Sequence, residues 1–163
     1  MLELVIIDTS ILLELLKVPG KSTPQHFDEI TKRLKTYIKG KKTSFVLPVT
    51  AIWETGNHIA KLTNGNNRRL YAEKFVEQVK KSLNGESPFT ARPFPRKEDL
   101  LNWLTTFPDS AQKSKSADKP QEGLSWGDHS IIGEWQKIKE ENPTYKVSIW
   151  SMDIDLMAYG ESE

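Results

Sequence analysis

Leu2-Glu3-Leu4-Val5-Ile6-Ile7-Asp8-Thr9-Ser10 decides how the rest of the chain is read. Apart from Glu3, residues 2–7 are an unbroken apolar run that stops at an acid. A short continuous run of this kind suits a strand buried on both faces, as in a parallel sheet. Asp8 or Thr9 can then cap a helix reaching about Lys17, which Pro19-Gly20 ends. Working outward, Thr23-Pro24 is an N-cap with proline at N1. Phe27, Ile30, Leu34 and Ile38 follow at helical spacing, so 24–38 is an amphipathic helix. Residues 44–47 form a second short strand closed by Pro48, and Thr50 can cap a helix over 51–63. Asn64-Gly65-Asn66-Asn67 is a turn, followed by a helix over 68–83. Residues 89–94 make a third strand, with Pro93 and Pro95 placing it at a sheet edge. A helix over 97–105, a long loop over 107–124, a helix over 126–141, a strand over 145–151 and a short helix over 153–160 complete the pattern. Strands separated by helices imply an α/β fold with a parallel sheet, in which ligands sit beyond the carboxyl ends of the strands.

The length of 163 residues suits one domain spanning 1–163, with the flexible loop at 107–124 inside it. The composition, 37% hydrophobic and 28% charged, is that of a globular protein and excludes extended disorder. No cysteine is present, which removes disulfides, thiolate metal sites and cysteine nucleophiles. No stretch is apolar enough to cross a membrane, and the start does not read as a signal peptide, so a cytoplasmic protein is expected. The net charge of +1 conceals an asymmetry: residues 17–81 hold 14 Lys/Arg against 5 Asp/Glu, and the remainder holds 9 against 17. Two readings fit this split, a basic face for a polyanion such as nucleic acid and a pair of lysine-rich solvated helices. His26, His58 and His129 are scattered without an i, i+4 pair, which argues against zinc.

The acids are more informative. Asp8 and Asp153 follow the first and last strands, Glu54 lies early in the helix after the second strand, and Asp128 lies in the first turn of the helix before the last. All four can therefore meet at one edge of a parallel sheet. Each also has a plain local explanation as a helix cap or first-turn acid, and Ser125-Trp126-Gly127-Asp128 has the form of a capping box. Asp128, however, shares a stripe with Ile131, Ile132 and Trp135 and so points toward the core side. Two carboxylates ~4 Å apart repel by ~4 kcal/mol at an effective dielectric of 20, so four converging acids need cations or protons. Hard divalent ions take oxygen ligands and suit such a cluster. Asp153-Ile154-Asp155 also suggests a haloacid-dehalogenase-type phosphatase, but that chemistry wants its Asp pair after the first strand. A phosphoacceptor receiver domain is disfavoured for the same reason.

Val5-Ile6-Ile7-Asp8-Thr9-Ser10, Leu47-Pro48-Val49-Thr50-Ala51-Ile52-Trp53-Glu54 with Asn57 one turn on, Leu124-Ser125-Trp126-Gly127-Asp128 and Ser151-Met152-Asp153 together resemble the PIN domain family, metal-dependent nucleases that include VapC-type toxins. The resemblance implies a three-layer α/β/α sandwich around a parallel sheet of about four strands. It implies that Asp8, Glu54, Asp128 and Asp153 are the catalytic acids and the ligands of Mg²⁺ or Mn²⁺. Ser10 and Ser151 match supporting hydrogen-bonding positions, Asn57 a polar position near the site, and Asp155 a fifth acid able to assist Asp153. The implied function is endoribonuclease, the toxin of a type II toxin–antitoxin pair, with an antitoxin and a second copy of the chain as partners. A PIN-like module that binds RNA or protein without cleaving is the alternative. Lys41, Lys42, Arg68 and Arg69 are the expected RNA-backbone contacts, and Trp53 or Trp126 can stack a base, though core packing is the commoner fate of tryptophan. Two departures stand out: the loop at 107–124 is long for the compact toxins, and the sequence ends about ten residues after Asp153, so the family's usual last edge strand is expected to be missing.

Overall fold

The computed structural model describes residues 1–160. The first apolar run becomes β1 (Glu3–Ile7), one of the two inner strands of a four-stranded sheet ordered β3-β2-β1-β4, with β2 (Thr43–Leu47), β3 (Phe89–Ala91) and β4 (Lys146–Trp150). Every pairing is parallel, with Val5 opposite Phe45 on one side and Ser148 on the other. Because side chains alternate along a strand, the two faces of the sheet have separate cores. Val5, Ile7, Phe45, Leu47, Phe89 and Trp150 face one way, against Ile11 and Leu12 of α1 (Thr9–Leu15), Ile30 of α2 (Pro24–Gly40) and Ala51 of α3 (Val49–Ala60). Leu4, Ile6, Val46, Val147 and Ile149 face the other way, against Ile131 and Ile138 of α6 (Trp126–Glu141) and Leu156 of α7 (Ile154–Met157). Burial on both faces is why the first strand reads as continuous apolar sequence rather than as an alternating one. The remaining helices are α4 (Gly65–Leu83), which packs on α3, and α5 (Lys97–Gln112), which packs on α6. No described helix is long and apolar enough to cross a membrane.

Several boundaries differ from the sequence expectation, each for a physical reason. The helix after β2 starts at Val49 behind Pro48, because the Thr50 hydroxyl is taken up by Ser130 Oγ of α6, 2.7 Å away, rather than by a cap. Asn64 caps α4 through the Asn66 and Asn67 amides, so the expected turn over 64–67 is already its first turn. β3 is an edge strand as expected but stops at Ala91, before Pro93. The loop expected over 107–124 begins only after Gln112, since α5 continues through Pro108. Phe107 explains the extension: its ring packs edge-on to Trp126 at 5.1 Å and against His129 at 5.4 Å, which holds this turn on α6.

Candidate functional site at the carboxyl edge of the sheet

Parallel strands place all their carboxyl ends on one side, and four acids gather there. Asp8 directly follows β1, and its amide donates to the Trp150 carbonyl at the end of β4 (3.0 Å). Although it holds the N-cap position of α1, its side chain makes no capping bond. Instead Oδ2 accepts from Ser151 Oγ at 2.7 Å and from Ser10 Oγ at 3.1 Å. Those two serines are themselves fixed: Ser10 Oγ accepts from the Met152 amide and Ser151 Oγ from the Asp153 amide, both at 2.9 Å. The structure thus brings Ser10 and Ser151 together on the Asp8 carboxylate.

Glu54 reaches the same place from the middle of α3. Its Oε2 accepts from Thr9 Oγ1 at 2.8 Å, a contact that sequence reading missed although Thr9 adjoins Asp8. Its Oε1 lies over Gly127, where an added Cβ would stand 1.9 Å from that oxygen. Gly127 is therefore required for the close approach of Glu54 to the first turn of α6. The next residue, Asp128, is buried, and its backbone amide is capped by Ser125 Oγ at 3.1 Å. Its carboxylate is not spent on a reciprocal cap; it faces Lys115 Nζ at 3.4 Å. Asp153 caps α7 by accepting from the Asp155 amide at 3.1 Å and also faces Lys115, at 3.8 Å. Asp155 completes the ring, 3.2 Å from the same ammonium.

The electrostatics record the crowding. Burial, with the fields of Asp8 and Asp128, pushes the Glu54 carboxyl above its ordinary value against the opposing pull of the Thr9 hydroxyl and Lys115. Burial likewise raises Asp128, helped by Asp153 and Asp8 and opposed by Lys115. A carboxyl group with a raised folded-state pKa contributes stability below its unfolded pKa, and that contribution is lost as pH rises through the folded value. Glu54→Gln removes the repulsion at neutral pH. In EDTA at pH 7 it is expected to melt higher than the wild type, and the gap should close toward about pH 4, where an ordinary Glu is protonated. Thermal melts across that range decide it, and a lower melting point for Glu54→Gln at pH 7 contradicts it.

The remaining nominated residues fare differently. Asn57 is exposed one turn beyond Glu54 and, among the described residues, joins no hydrogen bond with the acids. Lys41 and Lys42 precede β2, so they lie at the amino edge of the sheet, roughly 16 Å from the acids at ~3.3 Å per strand residue. Arg68 Nη1 donates to the Leu62 and Thr63 carbonyls, bracing the turn between α3 and α4. Arg69 pairs with Glu73 on α4. None of these four cations stands at the acid cluster, and a count of charges along the chain carries no information on which sheet edge they occupy. Trp53, expected in the core, is 60% exposed and packs on Phe94 at 5.9 Å. These rings, with Leu100, Trp103 and Trp126, line a cleft of about 350 Å³ that also reaches Glu54. His129 is buried and structural, its Nε2 2.9 Å from the Trp103 carbonyl.

Every side chain here able to ligate a metal is an oxygen donor, a set suited to Mg²⁺ or Mn²⁺ rather than to softer metals. Among the described residues no three His, Cys, Asp or Glu form a ready metal-binding group. The donor chemistry fits a hard divalent ion, while the acids as arranged surround a lysine.

No protein-family model matches the chain, and no curated protein matches it in sequence. Solved structures match it in fold. FitAcB from Neisseria gonorrhoeae superposes with a TM-score of 0.59 at 12% identity, covering 95% of this chain and 91% of that one. FitAB bound to an IR36 DNA fragment superposes with a TM-score of 0.57 at 14% identity, covering 95% and 89%. The four-stranded parallel sheet between helical layers is a PIN-like fold.

Proposed function

We propose that this chain is a metal-dependent endoribonuclease, with Asp8, Glu54, Asp128 and Asp153 holding Mg²⁺ or Mn²⁺ and acting on an RNA phosphodiester. One observation carries the reading. Four acids from four separate segments share the carboxyl edge of the sheet, and two of them, Glu54 and Asp128, are raised in pKa by burial and by their acidic neighbours. Such repulsion costs stability, and it is at functional sites that groups with shifted pKa values cluster. When bound, a divalent ion supplies activated water and neutralises charge on the phosphoryl oxygens. The chain's own part is positioning. Ser10 and Ser151 lock Asp8, Thr9 and the bare backbone of Gly127 seat Glu54, and the Ser125 cap fixes the turn that carries Asp128. The oxygen of a water molecule attacks phosphorus in line, the bond to the leaving sugar oxygen breaks, and that oxygen leaves with a proton. The exposed Trp53–Phe94 pair beside Glu54 offers a stacking platform for an unpaired base. In this reading the chain is the cytoplasmic toxin of a type II toxin–antitoxin pair, with an antitoxin and a second copy as partners.

One observation favours the rival reading, a PIN-like module that binds without cleaving: Lys115 already partners three of the acids. Product chemistry separates the two. Labelled single-stranded and structured RNAs are incubated with Mn²⁺ in ¹⁸O-enriched water and the new ends identified. The expected products are a linear monophosphate carrying one solvent oxygen and a free hydroxyl. A 2′,3′-cyclic phosphate means attack by the RNA's own hydroxyl and contradicts the proposed chemistry. Binding without turnover across the RNAs supports the rival.

A further inference from the structure

The segment between α5 and α6 carries a lysine into the acid cluster, and it is pinned there. The Lys115 amide donates to the Glu122 carbonyl at 2.6 Å, Ser114 Oγ to the Pro120 carbonyl at 3.1 Å, and the Leu124 amide to the Ser110 carbonyl at 3.2 Å. Gly123 lies so close to α5 that an added Cβ would stand 2.0 Å from the Ala111 carbonyl oxygen. Folded back in this way, the segment leaves the Lys115 side chain only 11% exposed, among Asp128, Asp153 and Asp155. Taking an ammonium out of water is costly unless carboxylates surround it. Asp155 needs the partner as much: its side chain is 1% exposed, and neither of its oxygens has a hydrogen bond of good geometry.

The acids thereby divide into two groups. Asp128, Asp153 and Asp155 face the ammonium at 3.2–3.8 Å, whereas Asp8 and Glu54 form no ion pair with it. Where two metal ions act together in phosphoryl transfer they lie ~3.5–4 Å apart, each needing its own oxygen ligands. A buried ammonium among Asp128, Asp153 and Asp155 occupies three of the acids and repels a second divalent ion beside them. We propose that Lys115 is a built-in second cation, so that the centre takes one divalent ion, on the Asp8–Glu54 side, with Asp128 lying between that ion and the ammonium. This inference rests on the metal-centre reading above and goes beyond it by fixing how many ions bind and what replaces the other.

Mn²⁺ alone is the probe, its bound stoichiometry measured by electron paramagnetic resonance on the full chain. The wild type is expected to bind one ion, Lys115→Arg one, and Lys115→Ala two. Gly123→Ala, which unseats the segment but keeps the lysine, is also expected to bind two. It serves as the deciding variant if Lys115→Ala does not fold. Two ions in the wild type overturn the proposal and leave the metal centre standing. So does a single ion in both Lys115→Ala and Gly123→Ala. No ion in the wild type with one in Lys115→Ala overturns it in favour of a plug that excludes metal altogether. No ion in any variant overturns both the proposal and the metal-centre reading.

Discussion

Asp8→Asn is expected to lower metal-dependent RNA cleavage by at least about a thousandfold while leaving the chain folded. Metal assistance to a phosphoryl displacement supplies several kcal/mol, and about 4 kcal/mol is a factor of a thousand in rate. Asp8 is the acid held most firmly, its Oδ2 taking two serine hydroxyls that are themselves tied to the backbone after β4. Asparagine keeps one acceptor oxygen for those hydroxyls and loses only the charge, so the neighbouring strands keep their packing. Single-turnover rates in Mn²⁺, taken beside circular dichroism of the same samples, measure the effect. A rate within tenfold of the wild type would remove Asp8 from the centre.

The second large effect concerns stability. Arg92→Leu is expected to cost about 3 kcal/mol, the low end of the range for removing one partner of a buried pair, because Glu134 is buried while Arg92 is part-buried. For a domain of this size that is roughly 6–12 °C of melting temperature. The Arg92 amide extends β3 by donating to the Leu47 carbonyl, and its guanidinium then bridges to Glu134 at 2.9 Å and Glu141 at 2.9 Å, both on α6. The link holds the helix that carries Asp128 against the sheet edge. Burial already pushes the Glu134 carboxyl above its ordinary value, with Arg92 pulling the other way. Without Arg92 that carboxyl rises further. Stability lost on its ionisation is absent at low pH and grows as pH rises, so the deficit should shrink as the solution is acidified. Adding Glu134→Gln to Arg92→Leu removes the stranded charge and should recover much of the loss at pH 7. Urea melts of the single and double variants at two pH values settle it, and a pH-independent deficit contradicts the mechanism.

How much of this was legible in the sequence depends on the range of the interaction. The order of strands and helices follows from short apolar runs and turn residues, which act locally, and the fold class could be read from them. Helix limits that depend on distant partners could not. Thr50 bonds a residue 80 positions away, and α5 passes Pro108 because Phe107 finds rings on α6. The acids were legible because parallel strands bring their ends together whatever the loops do. The position of the cations was not: Lys41 and Lys42 precede β2, at the opposite edge of the sheet from the acids, a difference invisible to a tally of charge. Lys115 was hidden in a segment rich in Ser, Lys and Pro that reads as flexible, and its place rests on contacts to Glu122, Pro120 and Ser110. The faint signal was Lys113, Lys115 and Lys119, spaced through the segment that leads to Ser125-Trp126-Gly127-Asp128. Gly127 was quoted as part of a motif, yet its reason, room for the Glu54 carboxylate, needs the packed helices.

Incubation of the purified protein with a panel of single-stranded and structured RNAs, in Mn²⁺, Mg²⁺ or EDTA, tests the central claim most directly. An Asp8→Asn/Asp128→Asn double variant purified in parallel controls for contaminating nuclease. The account predicts cleavage by the wild type in either metal, none in EDTA, and none by the double variant in any condition. Cleavage that persists in EDTA, or that the double variant matches, would contradict it.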